Sequence, residues 1–524
     1  MATTINGVDH KKLVSEGESV TERSAGTELA IRSIGRNTIF QIGSQVAPAL
    51  AALAAIPFLL RQLGPEIFGI VTIFSTTLIY FTMLDLGLGR AATRFIAQSL
   101  EDGKPDDLRR YFWGSTILLS GIGVLVTVGC LLAVPVAVTK YLKVPIDQSH
   151  LTIASFYIIC LTIPVVTLTG TFRGYLEASG RFFYIGVVTG CSGIALYALP
   201  AFVVSMGGGL LGVAVALAAV RVALCAALAL GCLHVDGRPS LYPVFDVVTV
   251  RRMLSFGGWL SVSNVVGTGL MYCDRIFVAM WVGMAAVSSY GMPLDVISRM
   301  LILVTGFCTV LFPLMSRLDK SESPEFQTVY RGAVGACLAL MTPLAVSGVV
   351  LAPAVMKLWL GERNTPDSVF AAQVFLAGMV VQSIASIAFT GLHARGRSDL
   401  TAWVHLAEVP LYCGAFYLAA TRFGVRGAAL AWLARGIVDF LCMVILLKTR
   451  KGMPGSVPSP ELVAGIISAG ILLTTGLSFR GAALSGLMIC AFTWIWVWRT
   501  VIDPSVRMVL ARVLVGREDP RPVV

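Results

Sequence analysis

Residues 182–220 contain no Asp, Glu, Lys or Arg, and neither do 332–356, 368–394 or 481–498. About 20 apolar residues are enough to cross the hydrocarbon core of a bilayer as a helix. Lipid offers the backbone no hydrogen-bonding partner, so each run has to pair its own amides and carbonyls. Only 13% of the 524 residues are charged and the mean hydropathy is +0.81, against roughly 25% charged residues in soluble domains. The chain is therefore expected to be an all-α integral membrane protein. Fourteen transmembrane helices are expected, at roughly 37–60, 67–92, 112–138, 151–173, 184–205, 210–233, 256–282, 286–314, 332–359, 369–394, 399–421, 425–447, 461–479 and 482–500.

The polar segments give the orientation. Of the 40 Lys and Arg, 28 lie in the connections, tails and span ends on the side shared by both termini, 8 on the opposite side and 4 deeper within spans. Basic residues accumulate in cytoplasmic loops, which puts both termini in the cytoplasm. The net charge of +11 is thus a topology signal, and no nucleic-acid partner is expected. Most tryptophans, among them Trp113, Trp259, Trp281, Trp359, Trp403 and Trp494, fall near span ends, where their amphipathic rings anchor at the interface. Residues 1–36 lack an apolar signal core and are expected to be a disordered cytoplasmic segment. Residues 236–252 are a polar cytoplasmic linker, and 501–524 a basic cytoplasmic tail. Within that tail Val506, Val509, Leu510, Val513 and Leu514 share one helical face, a pattern suited to the inner leaflet surface. The eleven cysteines lie almost entirely within the spans without C-x-x-C spacing, as small apolar fillers rather than metal ligands. No metal, cofactor or catalytic residue is expected.

The chain repeats itself. Phe172-Arg-Gly-Tyr-Leu-Glu-Ala-Ser-Gly-Arg181 returns, one residue shorter, as Phe389-Thr-Gly-Leu-His-Ala-Arg-Gly-Arg397. Gly209-Leu-Leu-Gly212 returns as Gly424-Val-Arg-Gly427, and the offsets stay between 215 and 217. A fainter echo joins Leu63-Gly64 to Val282-Gly283. Each copy holds six spans, so the second enters the membrane the same way up as the first. Two pseudo-symmetric six-helix lobes follow, 37–235 and 253–450, related by an axis along the membrane normal, with helices 13 and 14 (460–500) appended. Parallel repeats of this kind place a substrate path at their interface.

Arg61-Gln-Leu-Gly-Pro-Glu-Ile-Phe-Gly69 and Leu84-Asp-Leu-Gly-Leu-Gly-Arg-Ala-Ala-Thr-Arg94 resemble the first two spans of polysaccharide-type flippases. Phe256-Gly-Gly-Trp259 followed by Asp274-Arg275, and the Gly-Arg endings at Arg181 and Arg397, strengthen the likeness. That group belongs to the multidrug/oligosaccharidyl-lipid/polysaccharide (MOP) exporter superfamily. The resemblance implies a V-shaped pair of lobes and translocation of a lipid-linked sugar across a bacterial inner membrane.

Ionisable residues inside spans are costly and are functional candidates by default. Arg221 sits mid-span in helix 6 with no acid a turn away on its own helix. Arg435, with Asp439 four residues on, lies near its repeat counterpart in helix 12. Asp295 in helix 8 has Arg299 four residues on, and such i,i+4 pairs can neutralise each other. Asp274 and Arg275 are adjacent and point apart. His405 and Glu408 share a face of helix 11, and Asp85 and Arg90 lie toward the cytoplasmic end of helix 2. Arg221, Arg275, Arg299, Arg435 and Arg90 are the candidate ligands of an anionic lipid carrier, since guanidinium binds phosphate bidentately and keeps its charge. Asp295, Asp274, Glu408 and His405 are the candidate ion- or proton-coupling groups.

The expected activity is alternating-access flipping of a lipid-linked oligosaccharide, on a polyprenyl diphosphate, with membrane lipids and the polymerase and glycosyltransferases of polysaccharide synthesis as prospective partners. No GxxxxGK[ST] motif is present, so an ion gradient or downstream consumption has to give direction. The alternative is a multidrug or organic-cation antiporter. Against it, helix 1 offers Gln41, Ser44 and Gln45 but no acid. A membrane polymerase or ligase would need a larger outer loop than the dozen or so residues at 139–150 or 360–368.

Overall fold

The computed structural model describes residues 10–83, 88–235, 242–318, 324–448, 467, 469–471 and 477–500, with side chains from Gln45 on except at some positions, chiefly 255–268. The long helices are α1 His10–Met83, α2 Leu88–Glu101, α3 Pro105–Val136, α4 Ile146–Leu161, α5 Ile163–Ala178, α6 Phe182–Ser205, α7 Leu210–Leu233, α8 Val247–Trp281, α9 Met284–Ile297, α10 Leu301–Leu318, α11 Pro324–Leu360, α12 Pro366–Ala394, α13 Ser398–Lys448 and α14 Phe479–Thr500. No strand occurs among the described residues.

Ten continuous segments are long and apolar enough to cross a membrane. Two of them, Gln45–Thr82 and Asp399–Leu447, are each broken by a non-helical glycine, Gly64 (φ 79°, ψ 165°) and Gly424 (φ 59°, ψ −136°). Each therefore holds two expected spans, and α8 holds the seventh. Expected span 13 lies mostly outside the described residues, as does the tail 501–524. Two crossings are themselves divided. The fourth breaks at Thr162 between α4 and α5, where Pro164 removes an amide from the ladder. The eighth passes from α9 through a tight 3₁₀ turn, Ser298–Met300, into α10.

Two expected boundaries move. The segment expected to be disordered is helical from His10 onward and continuous with the first crossing. It contains no proline and is rich in Leu, Ala, Glu, Lys and Arg, which tolerate helix geometry. The inter-lobe linker is shorter than expected, because α8 begins at Val247 within it. Asp246 caps that start by accepting from the Val248 amide at 3.1 Å and the Thr249 hydroxyl at 2.5 Å. The same two bonds hold its carboxyl below the usual range.

The repeated sequence motif is a repeated helix stop. Gly180 (φ 71°) and Gly396 (φ 68°) adopt the left-handed conformation just past α5 and α12. In both copies the following arginine amide closes back onto a leucine carbonyl, Arg181 onto Leu176 at 2.9 Å and Arg397 onto Leu392 at 3.0 Å. This is a Schellman closure, and a side chain at the glycine would strain it. Within the second half α12 is the most buried span, enclosed by α9, α10, α11 and α13.

The halves meet tightly at one end of the bundle. Gly69 lies so close to α9 that a Cβ would stand 2.1 Å from the Met284 carbonyl oxygen. Ser288 donates to the Pro65 carbonyl at 2.9 Å, Lys143 to that of Trp281 at 2.6 Å, and the Trp359 indole to that of Leu53 at 2.7 Å. The continuation of the eighth crossing, α10, packs mainly on α12 and little on the first half. Toward the end that carries the basic-rich connections the contact passes to α8, whose start packs on α2 and α3, with Arg252 donating to the Tyr111 hydroxyl at 3.2 Å.

Candidate functional site

Successive helix residues point about 100° apart, and α8 uses this to send two adjacent charges to different partners on the eighth crossing. Asp274 and Arg275 are both buried. Asp274 accepts from the Tyr290 hydroxyl at 2.6 Å and from the Arg275 amide at 2.8 Å. The Arg275 guanidinium bonds Asp295 at 2.6 Å and lies 5.6 Å from the centre of the Tyr272 ring. The Arg275 side chain is 3% exposed, while that of Asp295 keeps 28%. Arg275 is therefore held inside the second half, and Asp295 forms the accessible rim of the pair.

The expected i,i+4 pair of Asp295 with Arg299 does not form. Arg299 lies in the 3₁₀ turn, whose tighter winding takes it out of line with the preceding turn. It donates instead to the Tyr197 hydroxyl on α6 at 3.0 Å, with its guanidinium 6.0 Å from that ring's centre. This bond joins the two halves in mid-span. Tyr197 has a repeat counterpart in Tyr412, offset by 215 residues, and Arg435 sits 5.5 Å from the centre of the Tyr412 ring. Each half thus sets a tyrosine of its fifth crossing against an arginine, across the halves in one case and within the second half in the other.

The expected Arg435–Asp439 pair is likewise replaced. Asp439 contacts His405 at 3.5 Å, too long for a strong hydrogen bond. Arg435 interacts electrostatically with Asp274 and with Glu408. Glu408 is 5% exposed and neither carboxylate oxygen has a hydrogen-bond partner; His405 Nδ1 and the Tyr412 hydroxyl are also unpartnered. His405, Glu408 and Tyr412 share one face of α13 before Gly424, opposite Arg435 and Asp439 after it. Phe389 of α12 stacks on His405 at 6.1 Å.

Arg221 stands alone in the first half. It occupies α7 in line with the buried Leu217, Cys225 and Leu228, and its Nε is buried without a partner. Among the described residues it makes no ion pair. Arg90 lies in α2, but its side chain, like Asp85, falls outside the described residues. No group of three or more His, Cys, Asp or Glu suited to a metal occurs among the described residues.

The structure thus gathers Asp274, Arg275, Asp295 and Arg299 at the seam, places His405, Glu408, Arg435 and Asp439 deeper in the second half, and leaves Arg221 apart in the first. Sequence reasoning missed the four tyrosines, 197, 272, 290 and 412, that partner these charges. The 215-residue offset between Tyr197 and Tyr412 was the available signal. Chemically, Arg299 and Arg221 are cations not neutralised by a carboxylate contact, and Glu408 is a carboxylate free of hydrogen bonds.

Comparison with known proteins agrees with this architecture. Residues 34–319 match the family model described as "Polysaccharide biosynthesis protein". A Shigella flexneri protein described as "Putative O-antigen transporter" is 27% identical over 418 residues, spanning 78% of this chain and 97% of that one. Among solved structures, the lipid II flippase MurJ in an inward closed conformation superposes with a TM-score of 0.67 at 13% identity, covering 89% of this chain and 99% of that one. An inward-facing multidrug MATE transporter of the MOP superfamily gives 0.65 at 14% identity, covering 84% and 100%. An outward-facing member gives 0.59 at 15% identity, covering 84% and 96%. The chain belongs to the polysaccharide biosynthesis protein family and is a multi-pass membrane protein whose fold is that of the MOP-superfamily transporters.

Proposed function

We propose that this chain flips a lipid-linked oligosaccharide, carried on a polyprenyl diphosphate, across a bacterial inner membrane, with both termini in the cytoplasm. The observation that carries the reading is the Arg299–Tyr197 bond, which sets a cation without a carboxylate partner at the seam between the halves. An anionic head group entering from the basic-rich side meets Arg299 there and displaces the tyrosine hydroxyl, while Arg221 offers a second cation from the first half. The lobes 37–235 and 253–450 then rock about the linker to change the exposed side. The likeness to the protein described as "Putative O-antigen transporter", over 78% of this chain and 97% of that one, supports the substrate class. Proton coupling is assigned to Glu408 with His405 and Asp439, because the Asp274 and Asp295 carboxylates already accept from Tyr290 and Arg275.

The test is transport by purified protein in liposomes loaded with a fluorescent polyprenyl-diphosphate oligosaccharide, read as the fraction quenched from outside. Hydrogen bonds to charged groups contribute about 1.5–3 kcal/mol, so Arg299→Ala and Arg221→Ala should each slow flipping roughly 10- to 100-fold. Arg221→Ala should keep its thermal midpoint, and Arg299→Ala should lose no more stability than its one hydrogen bond to Tyr197 supplies, about 1.5–3 kcal/mol. Wild-type rates in both would remove these arginines from the site. Movement of a fluorescent organic cation down a pH gradient, with no flipping, would establish the antiporter instead.

A further inference from the structure

Away from the seam, the closed end of the second half carries a groove of about 460 Å³. Its floor is the start of α12, with Phe370 and Gln373; α11 supplies one wall with Lys357, and Arg426, just past Gly424 in α13, supplies the other. Trp359 shows which way this wall faces. It donates to Leu53 of the first half, and Lys357, two positions earlier on the helix, points about 200° away from it. The groove therefore looks outward, away from the translocation seam.

Three of its polar groups offer donors, and the fourth, Gln373, gives its amide nitrogen to the Val349 carbonyl at 3.2 Å. Lys357 has no hydrogen-bond or ion-pair partner among the described residues. Arg426 uses only Nε, on Asp367 at 2.7 Å, leaving the rest of its guanidinium fork open. The Asn364 oxygen accepts from Ser368 at 3.1 Å, so its amide nitrogen is the free end. No carboxylate lines the groove. The α13 flank is apolar: Phe423 and Leu430 are exposed, and Leu430, four positions past Arg426, shares its face of the helix. Cationic donors beside a lipid-facing apolar flank match an amphiphile with an anionic head.

We propose that this groove binds the phosphate-bearing head group of a membrane lipid, with Lys357, Arg426 and Asn364 on the phosphate and the chain along Leu430. The shared chemistry is a lipid phosphate, whether of a bulk phospholipid or of a polyprenyl carrier. The site is separate from the seam and does not depend on what the seam transports.

Native mass spectrometry of the full-length protein, titrated with phosphatidylglycerol, phosphatidylcholine or undecaprenyl phosphate, tests it. Anionic lipid should be retained in preference to phosphatidylcholine, and Lys357→Ala and Arg426→Ala should each weaken that retention about fivefold. Lys357 is exposed and unpaired, so its variant should fold normally. Variant-sensitive phosphatidylglycerol, not displaced by undecaprenyl phosphate, assigns the groove to bulk phospholipid. Variant-sensitive displacement assigns it to the carrier. Equal retention of all three lipids, or a preference unchanged in the double variant, overturns the proposal.

Discussion

Replacing Asp295 by Asn tests the electrostatics of the seam most directly. The Arg275–Asp295 contact is 2.6 Å long and the arginine side chain is 3% exposed, so the cation cannot turn to water when its partner is neutralised. Two unit charges about 4 Å apart interact by about 4 kcal/mol at an effective dielectric constant near 20. Breaking a buried pair from one side costs about 3–5 kcal/mol, because the remaining charge stays desolvated. The 28% exposure of Asp295 places the expectation at the lower end, about 3 kcal/mol, or roughly a hundredfold in the folding equilibrium. Arg275→Met alone should cost less, since the orphaned carboxylate retains access to water, and the double variant should recover to within about 1 kcal/mol of the wild type. The assay is equilibrium unfolding in mixed micelles for all four proteins, giving a coupling energy of about 2–3 kcal/mol. A coupling below about 0.5 kcal/mol, the value of an exposed pair, would refute the reasoning. Wild-type flipping by the stable double variant would show that the pair supports the seam and does not touch substrate.

Four further outcomes are expected. Tyr197→Phe removes one hydrogen bond to a charged group and should change the flipping rate about tenfold while altering stability by no more than about 3 kcal/mol; an unchanged rate would take the cross-half bond out of the cycle. Gly69→Ala puts a Cβ 2.1 Å from a carbonyl oxygen and should destabilise the closed end by at least about 1–3 kcal/mol, read as increased labelling of a cysteine introduced at Ser288. Glu408→Gln removes a buried charge that lacks a hydrogen bond, so it should leave the thermal midpoint unchanged or raised while abolishing pH-driven acceleration of transport in liposomes. Gly180→Ala and Gly396→Ala should cost about 1 kcal/mol each through left-handed strain, equally in the two halves; a large inequality in denaturant midpoints would break the structural equivalence of the two stops.

The spans and the duplication were legible because both depend on local chemistry. A run without charges must be a membrane helix, and Gly-Arg after a helical stretch stops the helix the same way in both halves. The charge partners were not legible. On an ideal helix Asp295 and Arg299 would share a face, and so would Arg435 and Asp439. The 3₁₀ turn at Ser298–Met300 and the approach of α8 redirected the first pair, and His405 came nearest to Asp439 in the second. Which of two partners an intramembrane charge takes depends on how neighbouring crossings are rotated, and rotation leaves little trace in hydropathy. Tyrosines in apolar helices read as packing residues until an arginine is found against them. The helical start at His10 shows the same limit from the other direction, since a polar composition does not forbid a helix that continues an adjoining one.

The seal at the closed end has an evolutionary consequence. Ser288, Lys143 and Trp359 each cross between the halves to reach a main-chain carbonyl rather than a side chain. Every residue type offers that oxygen, so Pro65, Trp281 and Leu53 can mutate without removing the acceptor, whereas loss of a donor deletes its bond outright. Covariation between the two sides should therefore be weak in this region even though contact is intimate, and drift should be concentrated on the acceptor side. A contact map inferred from correlated mutations would underestimate how firmly this end is shut.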